Sequence, residues 1–153
     1  MEHFPSPLSR EQSDAMVDRM EAGWEQRGFG LWALEVVGGA PFIGFAGLSL
    51  PAFDAHFTPA VEVGWRLARE HWGQGFATEA ARAALDYGFT TLDLNEIVSF
   101  TVSTNTRSIA VMERLGMTYV PADDFDHPRI PPGHPLRRHV LYRLRRETSQ
   151  SPR

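Results

Sequence analysis

The most constraining stretch of the chain runs from Val61 to Thr91. It opens with Val61, Val63, Trp65 and Leu67 alternating with Glu62, Gly64 and Arg66, the period of a strand with two unlike faces. Gly73 and Gly75 follow. A run with Ala77, Ala80, Ala81, Ala84, Leu85 and Phe89 on one side then reads as a helix whose small residues allow close packing on a sheet. Strand, glycine turn and helix in this order leave few options. The glycines let another group approach the backbone closely. The helix points its first free N–H groups, and the positive end of its dipole, into the turn. Such a turn suits a phosphate or pyrophosphate. A Gly-x-Gly turn also occurs where the chain merely turns tightly, so this signal alone leaves both readings open.

The remaining pattern is that of one mixed α/β domain over residues 1–146 with a polar tail at 147–153. Ser9 and Gln12 have capping-box spacing ahead of a helical stripe of Met16, Met20 and Trp24, closed by Gly28. Leu31 to Val37 and Phe42 to Leu50 read as a hairpin around Gly38-Gly39, with Gly44 and Gly47 marking a bulge or a close backbone contact. Pro51 to Pro59 reads as a loop with a surface histidine, His56. Glu96 to Val102 is a strand, and Asn105 caps a helix carrying Ile109, Met112 and Leu115, with Gly116 past its end. Met117 to Val120 is a strand, Pro121 to Pro135 a loop, and Arg138 to Leu144 the last strand.

Composition removes several function classes. The chain has 153 residues, no cysteine and a formal charge of -4. Thiol catalysis, disulfides and cysteine zinc sites are excluded. A net acidic chain argues against broad nucleic-acid binding. No apolar run reaches membrane-spanning length, and Met1 to Pro5 lacks signal-peptide character, so a cytoplasmic protein is expected. Asp123, Asp124, Asp126, His127, His134 and His139 invite a metal reading. They lack helical ligand spacing, and no metal is expected; the wall of a substrate site is favoured instead, where Arg137 and Arg138 either steer an acidic substrate or are solvated, as basic pairs near a strand usually are.

Two segments together carry a family resemblance. Glu62-Val63-Gly64-Trp65 with Trp72-Gly73-Gln74-Gly75-Phe76-Ala77-Thr78-Glu79-Ala80 resembles the acetyl-CoA motif of the GNAT N-acetyltransferases. Asn105-Thr106-Arg107-Ser108 with Leu115-Gly116-Met117 resembles their second signature. The wording is similar to the RimJ/RimL-like branch, which acetylates protein N-termini and some small amines. The resemblance implies a mostly antiparallel sheet flanked by helices and splayed between its two middle strands. It places Leu67 on the pantetheine arm of acetyl-CoA. It places the backbone N–H groups of Gly73, Gln74, Gly75, Phe76, Ala77 and Thr78 around the pyrophosphate, and Asn105 on the far side of the splay. Asn105 as a helix cap and nothing more stays open.

Three departures from the family pattern matter. Trp72 stands where many members have Gln or Arg. Met112, which cannot donate a proton, stands where many have a tyrosine acid; Ser108 is the substitute by position, although it also reads as an ordinary residue of a first helical turn. The chain also starts late relative to the family, as though the first strand and helix were absent. An uncovered edge of that kind favours self-association as a homodimer, or lower stability. Glu62 is the candidate base for the acceptor amine, against a reading as a solvated charge or arginine partner. The alternative to an acetyltransferase is a non-catalytic acyl-CoA-binding or interaction module. A nicotinamide site fits poorly, because Thr78 stands where that motif wants Gly or Ala and there is no room for a second half.

Overall fold

The computed structural model describes residues 15, 18, 21–22, 24–39 and 42–146. The expected cap at Ser9 and Gln12, the stripe residues Met16 and Met20, the late start of the chain and the tail at 147–153 lie outside them. Where described, residues 15–27 are helical (α1), and Gly28 follows with φ 77°. Among the described residues seven strands form one sheet: β1 (Leu31–Leu34), β2 (Gly44–Ser49), β3 (Glu62–Leu67), β4 (Glu96–Val102), β5 (Thr118–Tyr119), β6 (Phe125–Asp126) and β7 (Arg138–Arg145). The order is β1-β2-β3-β4-β7-β5, with β6 also paired to β7. All pairings are antiparallel except β3 with β4. Among the described residues there are also helices α2 (Phe76–Thr90) and α3 (Thr106–Arg114).

The one parallel pairing explains the site. β3 and β4 share a single register pair, Glu62 with Val98. The ladder closes with the Val98 N–H donating to Val61 O at 2.9 Å. One residue on, the Ser99 hydroxyl donates to Val63 O at 2.9 Å in place of a backbone donor. Beyond that point the strands part. The carbonyls of Val61 and Val63 face β4, so by the two-residue period the N–H and C=O of Trp65 and the N–H of Leu67 face the opening.

Small residues set how closely α2 lies on the sheet. Ala81 and Ala84 are fully buried, beside Leu48, Val63 and Ile97. A side chain on Gly88 would stand 2.6 Å from Ile97 Cδ1, too near for any other residue without a shift. Burying each of the larger aliphatic chains contributes roughly 1.5–3 kcal/mol. A second cluster, Phe57, Val98, Phe125 and Leu141, holds the loops 51–59 and 121–135 against the sheet.

Four expectations change. β1 ends at Leu34, because Ile43 N–H pairs with Leu34 O and the chain turns at Gly39, whose N–H pairs with Val36 O. Val36 and Val37 are β-prone but find no strand partner, and Val37 is 94% exposed. The strand expected over Phe42 to Leu50 is confined to Gly44–Ser49. The one expected over Met117 to Val120 is confined to Thr118–Tyr119. The stretch from Pro121 to Pro135 is not all loop: a 3-10 turn at Pro121–Asp123 leads into β6, which pairs Phe125 with His139 and Asp126 with Arg138.

Candidate active site

The turn after β3 has the form its glycines permit. A 3-10 turn at Arg69–His71 leads to extended Trp72, and Gly73 and Gly75 take φ of 77° and 82°. Gly75 is the left-handed N-cap of α2, and no side chain caps the helix. The first N–H groups of α2 therefore have no partner inside the helix. Trp72 folds back over the turn, its indole N–H donating to Leu67 O at 3.0 Å. The guanidinium carbons of Arg69 and Arg107 lie 5.0 Å and 4.8 Å from its ring centre. Arg107 belongs to α3, so this contact joins the two sides of the splay through cation–π attraction.

Across the opening, Asn105 caps α3 by accepting the Ser108 N–H at 3.2 Å on Oδ1. Its amide then donates to Thr101 Oγ1 at 3.0 Å and to Ser108 Oγ at 3.2 Å. The Trp65 indole N–H donates to the same Ser108 oxygen at 3.3 Å. Both lone pairs of that hydroxyl are thus occupied by N–H donors, and its own proton is left to be donated elsewhere.

Two clefts meet here. One, of about 990 Å³, is bounded by the glycine turn, α2 and α3, and includes Leu67, Gly73, Gly75, Phe76, Ala77, Thr78, Asn105 and Ser108 in its lining. Gln74 is not in the lining; its side-chain amide bends back to Glu70 O at 3.4 Å. The other cleft, of about 710 Å³, lies toward the loops and includes Glu62, Phe100, His127, Arg129 and His139. Trp65, Arg66, Asn105 and Ser108 line both.

Electrostatics differ between the two sides. Burial pushes the Glu62 carboxyl up to about 8, partly offset by a hydrogen bond from its cross-strand neighbour Ser49. His127 is pushed down to about 4, by burial first and then by His139 and Arg129. Burial also lowers His139, against the opposing effect of Arg137 O on its Nδ1, 3.0 Å away. Both shifts favour the uncharged ring.

The acidic loop residues have other engagements. Asp123 accepts from Arg143 Nε at 3.0 Å, Asp124 from the Tyr119 hydroxyl at 2.8 Å, and Asp126 from Arg138 at 3.4 Å. Among the described residues no group of three His, Asp or Glu side chains is arranged to hold a metal ion. Arg137 and Arg138, expected to steer an acidic substrate, both face Asp126, at 3.9 Å and 3.4 Å. The arginine that lines the loop-side cleft from this region is Arg129. It was missed because a basic residue amid prolines carries no periodicity. Trp65 was placed in the strand and in the quoted motif but given no role of its own.

Comparison with known proteins gives the family. Residues 1–118 match the acetyltransferase (GNAT) domain family. The Bacillus subtilis protein YkkB is 37% identical over 111 residues, 69% of this chain and 63% of its own length. An Aspergillus fumigatus FsC-acetyl coenzyme A-N(2)-transacetylase is 36% identical over 112 residues, 69% of this chain and 46% of its own. The chain thus spans less than two thirds of these relatives. The crystal structure of an Agrobacterium tumefaciens acetyltransferase superposes with a TM-score of 0.71 at 30% identity, over 92% of this chain and 75% of that one. With a family match over most of its length and the splayed sheet described above, the chain belongs to the GNAT acetyltransferase family.

Proposed function

We propose that the protein transfers the acetyl group of acetyl-CoA to a primary amine by direct attack. The observation that carries this reading is the meeting of two clefts at the splay, with Ser108, Asn105 and Trp65 common to both. Acetyl-CoA occupies the cleft beside α2. Its pyrophosphate lies on the N–H groups of the Gly73-to-Thr78 turn, its pantetheine arm lies along the Trp65–Leu67 edge, and its thioester reaches Ser108. The acceptor enters from the loop side, past Glu62.

The chemistry follows from the groups present. The neutral amine nitrogen forms a bond to the thioester carbonyl carbon, and a backbone N–H of β3 facing the gap polarises the oxygen. Glu62, with its affinity for a proton raised toward that of an amine, takes the amine proton, directly or through water. The C–S bond then breaks, and the Ser108 hydroxyl donates its proton to the leaving sulfur and recovers one from solvent. The two N–H donors on Ser108 Oγ stabilise the charge it acquires. Met112 takes no part; it is 1% exposed and packs in the core. Ser108→Ala is expected to lower kcat about tenfold or more and to leave the acetyl-CoA dissociation constant within twofold, by stopped assays of CoA release and by calorimetry. Unchanged kcat removes Ser108 from the mechanism.

Gly75→Ala separates fold from cofactor binding. The new methyl meets no protein atom within 4 Å. Holding alanine at φ 82° costs about 1–2 kcal/mol, and the methyl projects where the cofactor would lie. A modest drop in melting temperature with at least a tenfold weaker acetyl-CoA affinity is the expected result.

The wording of the turn around Trp72 favours the RimJ/RimL-like branch, with a protein N-terminus or a small amine as acceptor. The relative named as an acetyl coenzyme A transacetylase agrees with amine acetylation. The replacement of the family acid by Met112 favours a second reading, a non-catalytic acyl-CoA-binding module. Acetyl-CoA binding without CoA release on any amine supports the module; release on at least one amine supports the enzyme.

A further inference from the structure

The loop-side cleft has a charge pattern that its family membership does not dictate. Among the described residues its lining contains three arginines, Arg27, Arg66 and Arg129, and one acidic residue, Glu62. This is a local concentration, since the chain as a whole carries a formal charge of -4. Burial favours the uncharged form of both histidines in the lining. Burial raises Glu62 to about 8, so once ionised it accepts a proton more readily than an ordinary carboxylate.

Arg129 is placed to act on a ligand. Its backbone N–H donates to His127 Nδ1 at 3.2 Å, which fixes the chain at the base of the side chain. One terminal N–H donates to Ala52 O on the opposite loop, so the side chain bridges the two loops that wall the cleft. A guanidinium has five N–H donors in a planar fork. Among the described residues no carboxylate pairs with Arg129, whereas Arg137, Arg138, Arg143, Arg145 and Arg146 each face one. Arg129 and Arg27 are exposed, while Glu62 is only partly exposed. The cleft therefore runs from a cationic mouth to a proton-accepting interior.

We propose that the acceptor is a small primary amine bearing a carboxylate, with Arg129 at the mouth binding the carboxylate while the amine reaches Glu62 and Ser108. This rests on the acetyltransfer reading above. A carboxylate matches the fork of a guanidinium in two parallel hydrogen bonds, a geometry that an amide or a second ammonium group cannot supply. The site therefore selects by charge at the end of the acceptor away from the reacting nitrogen. It disfavours polyamines, whose second ammonium group would sit beside Arg129.

The test uses matched acceptors: glycine with glycinamide, β-alanine with its amide, and putrescine as the polycation. CoA release is measured for the wild type and for Arg129→Gln and Arg129→Lys. Amine basicity differs between an acid and its amide, so the readout is the ratio of wild type to variant for each acceptor. That ratio cancels intrinsic reactivity. The expected result is a wild type that uses the carboxylates in preference to putrescine. Arg129→Gln should lower kcat/KM at least tenfold more for the carboxylates than for the amides, chiefly through KM. Arg129→Lys should recover part of the loss. Acetyl-CoA affinity by calorimetry serves as the check on folding. Equal losses for acid and amide, or a preference for putrescine, would overturn the proposal and leave acetyl transfer intact. Acetyl-CoA binding with no CoA release from any amine would overturn the acetyltransfer reading, and this one with it.

Discussion

Replacing Glu62 by glutamine is expected to lower turnover by about 10²-fold, remove a limb of the pH–rate profile, and make the folded protein more stable at alkaline pH. The first two effects follow from its place in the loop-side cleft. The wild type should gain activity as Glu62 ionises near pH 8, and the variant should keep only the limb due to the acceptor's own amine. The third follows from linkage. Glu62 has a folded-state pKa raised above the ordinary 4.5. The folded protein therefore holds a proton that the unfolded chain releases, and stability falls as pH rises from about 4.5 through about 8. Glutamine carries no such cost. The gain should be absent below pH 4 and amount to roughly 3 kcal/mol at neutral pH. Denaturant melts at pH 4, 6 and 8 check it. A variant destabilised equally at all three would show that Glu62 is an ionised structural carboxylate instead.

Gly44→Ala is expected to destabilise the fold by at least about 3 kcal/mol, and to do so with no ligand present. Gly44 pairs with Leu67 across β2 and β3, at the end of the strand that lines the opening. A methyl group there would lie 2.0 Å from Arg66 O and 2.8 Å from Leu67 Cα. These are backbone atoms of a central strand, so no side chain can swing aside. The residue also holds φ at 148°, a region nearly closed to any side chain. The expected observation is a large fall in melting temperature or loss of soluble protein. Gly75→Ala, with its open surroundings, should stay folded. Similar stability losses for the two variants would contradict this account of β2 and β3.

Much of the fold was legible because its signals are local. The alternation at Val61 to Leu67, the alanine face of α2 and the Asn105 cap each depend on residues within one or two turns of each other. All appear as expected in β3, α2 and α3. The close contact anticipated at Gly44 and Gly47 is present for both. What was not legible depends on partners distant in the chain. β6 is two residues long and exists because β7 offers its edge. Phe53 and Phe57 come from one loop and Phe100 and Phe125 from strands β4 and β6, and only the fold brings their rings within 5.0 to 6.3 Å of each other.

The same distinction governs the site. Gly73 and Gly75 in the turn and Asn105 at the helix cap were legible because backbone geometry there favours those residue types. The raised proton affinity of Glu62 could not be read from its strand, because the burial that causes it is a property of the folded cleft. Nor could Arg129, whose position depends on a contact with Ala52, 77 residues away. Arg137 and Arg138 looked equally available in the sequence and are engaged by Asp126.

A crystal structure with coenzyme A bound tests the central claim most directly. The account predicts the pyrophosphate on the N–H groups of the turn from Gly73 to Thr78, and the sulfur between β3 and β4 within hydrogen-bond reach of Ser108 Oγ. Coenzyme A bound elsewhere, or in the α2 cleft with its sulfur directed away from Ser108, would contradict it.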